Sequence, residues 1–472
     1  MKSFFATLSE SEITKIHYAT LDILKNTGSN VFNEEALSLL KKAGCRVSGN
    51  LVKVPPHIVE KSILTAPKQI TIFNRNGKAA MFLEDKNIYF GTGPTTPFSL
   101  DVFTGERRMT TVEDIKMHTK VSETLKNIDF VMPMGSATDV SKEISDIYEF
   151  ISAVKYTTKP ITFIAWNKKN LKAVIEIADI FSGSLDDLIE KPFIIQFSEP
   201  TSPLTHTKDA VDKLLYSAEI GIPVAYFPCN TMGGTGPMSI YGSIVQSNAE
   251  SLMGLILSQL KREGTPFIIG GCGIPLNMSN GLLSVGAPEY YLTMSAYAAV
   301  CQYYKIPMFG LGGQSDSKVI DEQAAIEMTL HTFMSALSGI NMIDGLAQLE
   351  SCILGSIEMV VLLDEVIESI KRLLNGVDTG SDKEIRELIN KVGPGGQYVS
   401  EEHTLKNFRS VWFPTLFDRN NYSRWNEEGS LNLKQRLNKK TREIIFNLQK
   451  EEPVKETLSS IDKVMAKYNM LF

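Results

Sequence analysis

Eight short apolar runs, each followed by a helical stretch, recur along the middle of the chain and constrain its fold more than any other feature. They are Ile88–Gly93 (IYFGTG), Ile128–Gly135 (IDFVMPMG), Ile161–Ala165 (ITFIA), Phe193–Phe197 (FIIQF), Pro223–Asn230 (PVAYFPCN), Pro266–Gly273 (PFIIGGCG), Pro307–Gly313 (PMFGLGG) and Ile340–Gly345 (INMIDG). Their starts lie about 30 to 43 residues apart, the spacing of strand–helix units around a parallel sheet. Eight units predict an α/β fold of the (β/α)8 TIM-barrel type. Runs two, four, five and six are continuously apolar, as parallel strands covered on both faces must be. A barrel of this kind places its functional loops at the C-terminal ends of the strands. The loops that begin at Gly91, Trp166, Ser198, Cys229, Gly271, Gly312 and Asp344 are therefore the places to look.

At 472 residues the chain exceeds the roughly 250 that a minimal barrel needs, so further modules are expected at both ends. Residues 1–85 read as an N-terminal α/β cap. Ser9 opens a helix that stops near Asn26 and Gly28, a second helix spans Asn33–Ala43, and Pro55-Pro56 opens a third. Ile70–Phe82 reads as a hairpin turning at Asn76-Gly77. The barrel is placed at 86–376. Residues 377–472 read as a C-terminal helical extension packed on the barrel, closing with helices near Leu431–Leu448 and Val454–Tyr468. Those two helices are expected to wrap the barrel or to support a homo-oligomer contact.

A net charge of -6 excludes a large basic surface, so no nucleic-acid partner is expected. The N-terminal MKSFFATLSESE has no sustained apolar region, and no run approaches the roughly 18 apolar residues of a membrane helix. Neither a secretion signal nor a membrane contact is expected. Five cysteines without a CxxC pair point to a reducing cytoplasm.

The richest loop is Asn230–Ile240 (NTMGGTGPMSI), whose glycines let backbone N–H groups approach an anion ahead of a long helix. Gly310–Ala324 follows with Gln314, Asp316 and Lys318. A carboxylate here suits a cationic substrate, and Lys318 reads as a solvent partner of Asp316 rather than a Schiff-base lysine. Asp344, straight after an apolar strand, and Glu350 are costly to bury unless paired or facing a charged ligand. Aromatics cluster at the same openings: Phe90, Trp166, Phe197, Tyr226, Phe227, Tyr290, Tyr291 and Phe309. Two or three of them with a carboxylate would make a cage for a quaternary ammonium. Cys229, Cys272 and Cys352 lie at strand ends, where thiolates bind zinc, but no ligand spacing accompanies them and inert packing is the plainer reading. No metal site is expected. His403 follows the Gly-rich Val392–Tyr398 and either ties that loop down or serves the site.

In five ordered stretches the sequence resembles the trimethylamine methyltransferase family. These are Ile88–Ile115, Pro228–Leu260, Gly312–Glu327, Ile340–Ile367 and Val392–Arg409. The resemblance is to members lacking pyrrolysine, which demethylate glycine betaine and related quaternary amines. It implies a TIM barrel, in agreement with the strand count. The trimethylamine enzymes themselves carry pyrrolysine at the barrel mouth, whereas this chain has standard residues only, and Asp344 stands where many relatives have His. The resemblance further implies methyl transfer from a C–N bond to the Co(I) of a corrinoid on a separate small protein, with no cofactor held tightly by this chain. The substrate set expected from these loops is Phe197, Tyr226, Gly233, Gly234, Thr235, Gly236, Gln314, Asp316, Asp344 and Glu350. Gly312, Gly313 and His403 are expected to face the cofactor. Asp316 and Asp344 are the candidate catalytic groups, acting by position on the ammonium, with the glycine loop or Gln314 receiving a substrate carboxylate. Two rivals stay open: a zinc-dependent thiol methyltransferase barrel using the three cysteines, and a non-catalytic quaternary-amine binding protein.

Overall fold

The computed structural model describes residues 5–448 and 454–470. Seven parallel strands form one curled sheet: Tyr89–Thr92, Met342–Leu346, Met308–Leu311, Phe267–Gly270, Val224–Tyr226, Ile194–Ser198 and Ile161–Ile164, in that order around the ring. The gap between its two edges is closed by the second apolar run. Gly91 bridges Phe130 and Val131 bridges Ile161, both in parallel, so the eight runs make a closed ring. This second strand is reduced to two bridges for local reasons. The Thr92 hydroxyl takes over a ladder position by donating to the Met132 carbonyl (2.8 Å), and Pro133 has no N–H with which to continue.

Gly91 is required at that closure. A Cβ there would lie 2.2 Å from the Phe130 ring, so only a residue without a side chain lets strands one and two approach. The helices sit outside the ring. Side chains alternate along each strand, and their neighbours show which way each one points. Tyr226 lies over Gly254 of the helix Ile240–Lys261, with 2.4 Å between its ring and a Cβ built at Gly254, and so faces outward. Phe227, next along, lies 2.4 Å from a Cβ built at the sixth-strand residue Gly270 and is ring-packed on Phe197 and Phe309, so it faces the lumen.

Strands five and six continue beyond the ring as a separate three-stranded sheet. In it Cys229–Met232 pairs in parallel with Cys272–Asn277, which pairs with Leu282–Leu283. This extension is not legible in the hydrophobic pattern, where its polar residues read as loop.

The N-terminal elements follow their cap signals. Ser9 and Glu12 form a reciprocal capping box on the helix Glu10–Asp22, which passes through a π-turn (Ile23–Thr27) and stops at Gly28. Asn33 caps Glu34–Lys42, Pro56–Thr65 is the third helix, and Ile70–Phe73 pairs with Ala79–Leu83 as the hairpin. The first and third helices pack against Ile240–Lys261. At the other end, Leu433–Phe446 packs on the helix Ile357–Leu374. Lys455–Lys467 packs on Lys168–Ser182, held by Lys467 and Tyr468 on Glu176 (2.7 and 2.6 Å). Glu365 anchors the segment between, accepting from the backbone N–H groups of Thr415, Leu416 and Phe417 and from the Thr415 hydroxyl. No described helix is long and apolar enough to cross a membrane.

Because the ring closes on a single glycine, Gly91→Ala should lower stability by about 1–3 kcal/mol through overpacking against Phe130. Thermal unfolding measures it, and truncating Phe130 to Leu in the same chain should recover part of the loss.

Candidate functional site at the barrel mouth

Parity along the strands sorts the expected site residues. Phe197 (strand four), Phe227 (after strand five) and Phe309 (strand seven) meet inside the ring. Their ring centroids are 5.5 to 5.8 Å apart in tilted and edge-on arrangements, the geometry aromatic quadrupoles prefer. They form an aromatic floor under the mouth. Tyr226 does not join it. Facing outward, it bonds the Nδ1 of buried His206 (2.8 Å) and stacks on that imidazole, so it belongs to the packing between sheet and helices.

Asp344 lies two residues beyond Met342 on strand eight, while Ile343 between them faces outward, where it crowds Gly312. Asp344 is 1% exposed, and neither carboxyl oxygen has a hydrogen-bond partner. Burial pushes its pKa far above the usual carboxylate range. The expected charged partner of an ammonium is therefore a sealed carboxyl that strongly favours its protonated form.

Asp316, Glu350 and Gln314 are already engaged. Asp316 accepts from the backbone N–H groups of Val285 (3.1 Å) and Gly286 (3.0 Å) and from the Ser351 hydroxyl (2.7 Å). It thereby straps the exit loop of strand eight to those of strands six and seven. That loop needs the strap, since Ala347, Glu350, Ser351 and Cys352 all have left-handed backbone (φ from 51° to 78°), which non-glycine residues adopt only under outside constraint. Glu350 is paired with Arg107 (2.7 Å), whose guanidinium lies 3.4 Å from the centroid of the Phe98 ring. Gln314 is held on both sides: Tyr290 donates to its carbonyl (3.0 Å), and its amide donates to Gln348 (2.7 Å). Lys318 donates to the Asp316 carbonyl (2.7 Å) in solvent.

The glycine loop is not an anion cradle. The N–H groups of Gly234, Thr235 and Gly236 all donate to the Thr231 carbonyl, and that of Gly233 donates to the Gly236 carbonyl, each at 2.9 Å. The loop is a self-satisfied turn, and its glycines answer local demands. Gly233 has φ +87°, and a Cβ at Gly236 would strike the Asn230 carboxamide at 2.4 Å. Gly312 and Gly313 do not face a cofactor, because a Cβ on them would meet Ile343 (2.6 Å) and Leu346 (2.7 Å). They are packing notches. His403 sits half-buried on the short helix Glu402–Asn407, where its carbonyl accepts from Asn407 (2.8 Å).

Two features escaped the sequence reading. Cys229 and Cys272, register partners in the small sheet, bring their sulfurs to 3.2 Å, yet among the described residues no three His, Cys, Asp or Glu side chains make a metal-holding group. Glu199, just past the end of strand four and two residues beyond Phe197, is exposed, and no hydrogen bond or ion pair among the described residues reaches its carboxylate. Desolvation of the carboxyl raises its pKa, opposed by the nearby Lys213. Strand parity from Phe197 would have found it.

Residues 2–468 match the trimethylamine methyltransferase (MTTB) family. The chain belongs to this family. It is 30% identical to the trimethylamine methyltransferase MttB of Desulfitobacterium hafniense (strain DSM 10664 / DCB-2), over 97% of this chain and 93% of that one. It is 31% identical to a glycine betaine methyltransferase of D. hafniense (strain Y51), over 93% and 92%. Its fold resembles that of the monomethylamine methyltransferase MtmB of Methanosarcina barkeri, with a TM-score of 0.55 and 12% identity over 99% of this chain and 88% of that one. The chain thus stands among methylamine and betaine methyltransferases with a TIM-barrel fold.

A sealed carboxyl with a raised pKa makes a signed prediction. Above pH about 4 the unfolded chain ionises Asp344 while burial opposes ionisation in the folded protein, so this residue costs stability as pH rises. Asp344→Asn should match or exceed the wild-type melting temperature at neutral pH, by a margin that grows from pH about 4 upward. A margin that shrinks with pH would mean the carboxyl is ionised in the fold.

Proposed function

We propose that this methyltransferase takes a methyl group from a quaternary amine, a small betaine such as glycine betaine, proline betaine or carnitine, and passes it to the Co(I) of a separate corrinoid protein. The observation that supports this most is the mouth itself, where an aromatic floor meets strand ends that carry two carboxyl groups without hydrogen-bond partners among the described residues, Asp344 and Glu199. An electron-rich, partly apolar recess suits a permanent cation. The glycine betaine methyltransferase among the relatives supports the same class.

A corrinoid brought by its own protein would supply a strong Co(I) nucleophile. The remaining work falls to this chain: holding the N–CH3 axis toward the opening and keeping water away. When the C–N bond breaks, its electron pair stays on nitrogen and a neutral tertiary amine leaves. No general acid is needed at the leaving group, which fits a chain composed of standard residues only. An Asp344 carboxyl that burial pushes toward its neutral form also fits. The substrate's positive charge disappears in the transition state, and a full negative charge sealed beside it would hold the ground state too tightly.

The test is a panel of methylated amines given to the purified chain with a Co(I)-corrinoid protein, followed by the loss of Co(I) absorbance. At least one betaine should be turned over and trimethylamine should not. Trimethylamine as the best substrate would overturn the class. Asp344→Asn, which copies the neutral state, should retain turnover within about threefold, since less than 1 kcal/mol of transition-state stabilisation is at stake.

A further inference from the structure

The paired strands define the surroundings of the open carboxylate. Phe197 on strand four lies opposite Ile164 on strand three and Ala225 on strand five. Just past the ends of these three neighbouring strands stand Trp166, Glu199 and Phe227, each two residues beyond the paired positions. The strand exits that carry Trp166 and Phe227 thus lie on either side of the exit that carries Glu199. Trp166 is fixed in place, its indole N–H donating to the Ser145 hydroxyl (3.1 Å) and its backbone N–H to Asp146 (2.8 Å), while 37% of the residue remains exposed. Of the three floor rings Phe197 is the most accessible, at 8% against 3% for Phe227 and 0% for Phe309.

We propose that Glu199, Trp166, Phe197 and Phe227 form the site that receives the quaternary ammonium head of the substrate; the assignment rests on the quaternary-amine reading above. A quaternary ammonium has no N–H, so it gains nothing from oriented acceptors and is recognised by ring faces and a diffuse counter-charge. The arrangement here supplies both. Indole gives the strongest cation–π face, and the Glu199 carboxylate has no donor among the described residues to compete with a cation. Lys213, buried below with its ammonium on the Ala165 carbonyl (2.7 Å), makes no ion pair with Glu199. It favours the charged form of Glu199 without occupying the place of the ligand. Of the other carboxylates at this mouth, Asp316 and Glu350 are occupied by protein donors and Asp344 is sealed.

The test compares glycine betaine and carnitine with 3,3-dimethylbutyrate, in which an uncharged tert-butyl group replaces the trimethylammonium of glycine betaine. Calorimetric titration of the full chain needs no corrinoid. The wild type should bind at least one of the two cations and prefer glycine betaine, where it binds, to its uncharged counterpart. Glu199→Gln should weaken cation binding roughly ten- to hundred-fold and leave 3,3-dimethylbutyrate unchanged or tighter, with Glu199→Asp recovering part of the loss. Trp166→Ala should cost about 3- to 30-fold, and Trp166→Phe should restore most of it. With a corrinoid protein present, Glu199→Gln should raise KM and leave kcat unchanged or higher. If the wild type binds a betaine and Glu199→Gln binds it equally well, the cage is wrong and the quaternary-amine reading survives. If the wild type binds neither cation, both fall.

Discussion

The register of one closed parallel ladder decides what every residue at this mouth is able to do. Once Gly91 lets strand one close on Phe130, the ring fixes the parity of the strands, and parity assigns each side chain to helices or lumen. The outward set is cut to receive helices. Tyr226 needs the notch at Gly254, and the position of Ile343 depends on that at Gly312. The inward set meets across the ring as Phe197, Phe227 and Phe309. A shift of one residue on strand five would exchange Tyr226 with Phe227, placing a hydroxyl in the floor and leaving His206 without its partner.

Charge at the mouth is organised by the same geometry. Four acidic side chains stand near the strand ends, each in a different physical state. Asp316 is spent on two backbone N–H groups and a serine, Glu350 on an arginine, and Asp344 is sealed and strongly favours its protonated form. Glu199 alone among them is both open and without a donor. The first two stabilise loops. Four residues with left-handed backbone after strand eight would relax if Asp316 and the Gln314–Gln348 bridge let go, since local strain of this kind persists only where its surroundings over-determine it. Residue type alone would have ranked these four carboxylates as equals, and hydrogen-bond accounting separates them.

How far the sequence could be read follows from what kind of information each feature needs. The barrel strands, the Ser9 and Asn33 caps and the hairpin near Asn76-Gly77 are local patterns of hydrophobicity and turn chemistry, and they lie where the pattern puts them. The second strand shrank to two bridges because a Thr92 hydroxyl and a proline intervened, which run-counting does not weigh. The glycine-rich turn misled for a related reason. Three glycines and two threonines look like an anion cradle, but the outcome depends on whether the N–H groups find an internal acceptor, and the Thr231 carbonyl takes three of them. Tyr226, Gly312 and Gly313 stand out by position in a loop or at a strand end, which carries no information on parity. Glu199 does not stand out, because one acidic residue after an apolar strand, followed by Pro200, reads as an ordinary turn.

The placement of charge has a consequence for catalysis that neither carboxyl has alone. Methyl transfer from a quaternary nitrogen removes the positive charge on which recognition depends, so every interaction with that charge stabilises the substrate more than the transition state. A buried, ionised Asp344 would be the most expensive arrangement, because a sealed, low-dielectric setting magnifies the attraction that must be lost. Burial avoids this by favouring the protonated acid. Glu199 stands at the exit of strand four and is more exposed than Asp344. On the proposed reaction, a carboxylate at the rim and a near-neutral acid deeper in would let a cation be selected on entry and given up cheaply when the C–N bond breaks. The aromatic rings serve both stages, since dispersion with methyl groups remains after the charge has gone.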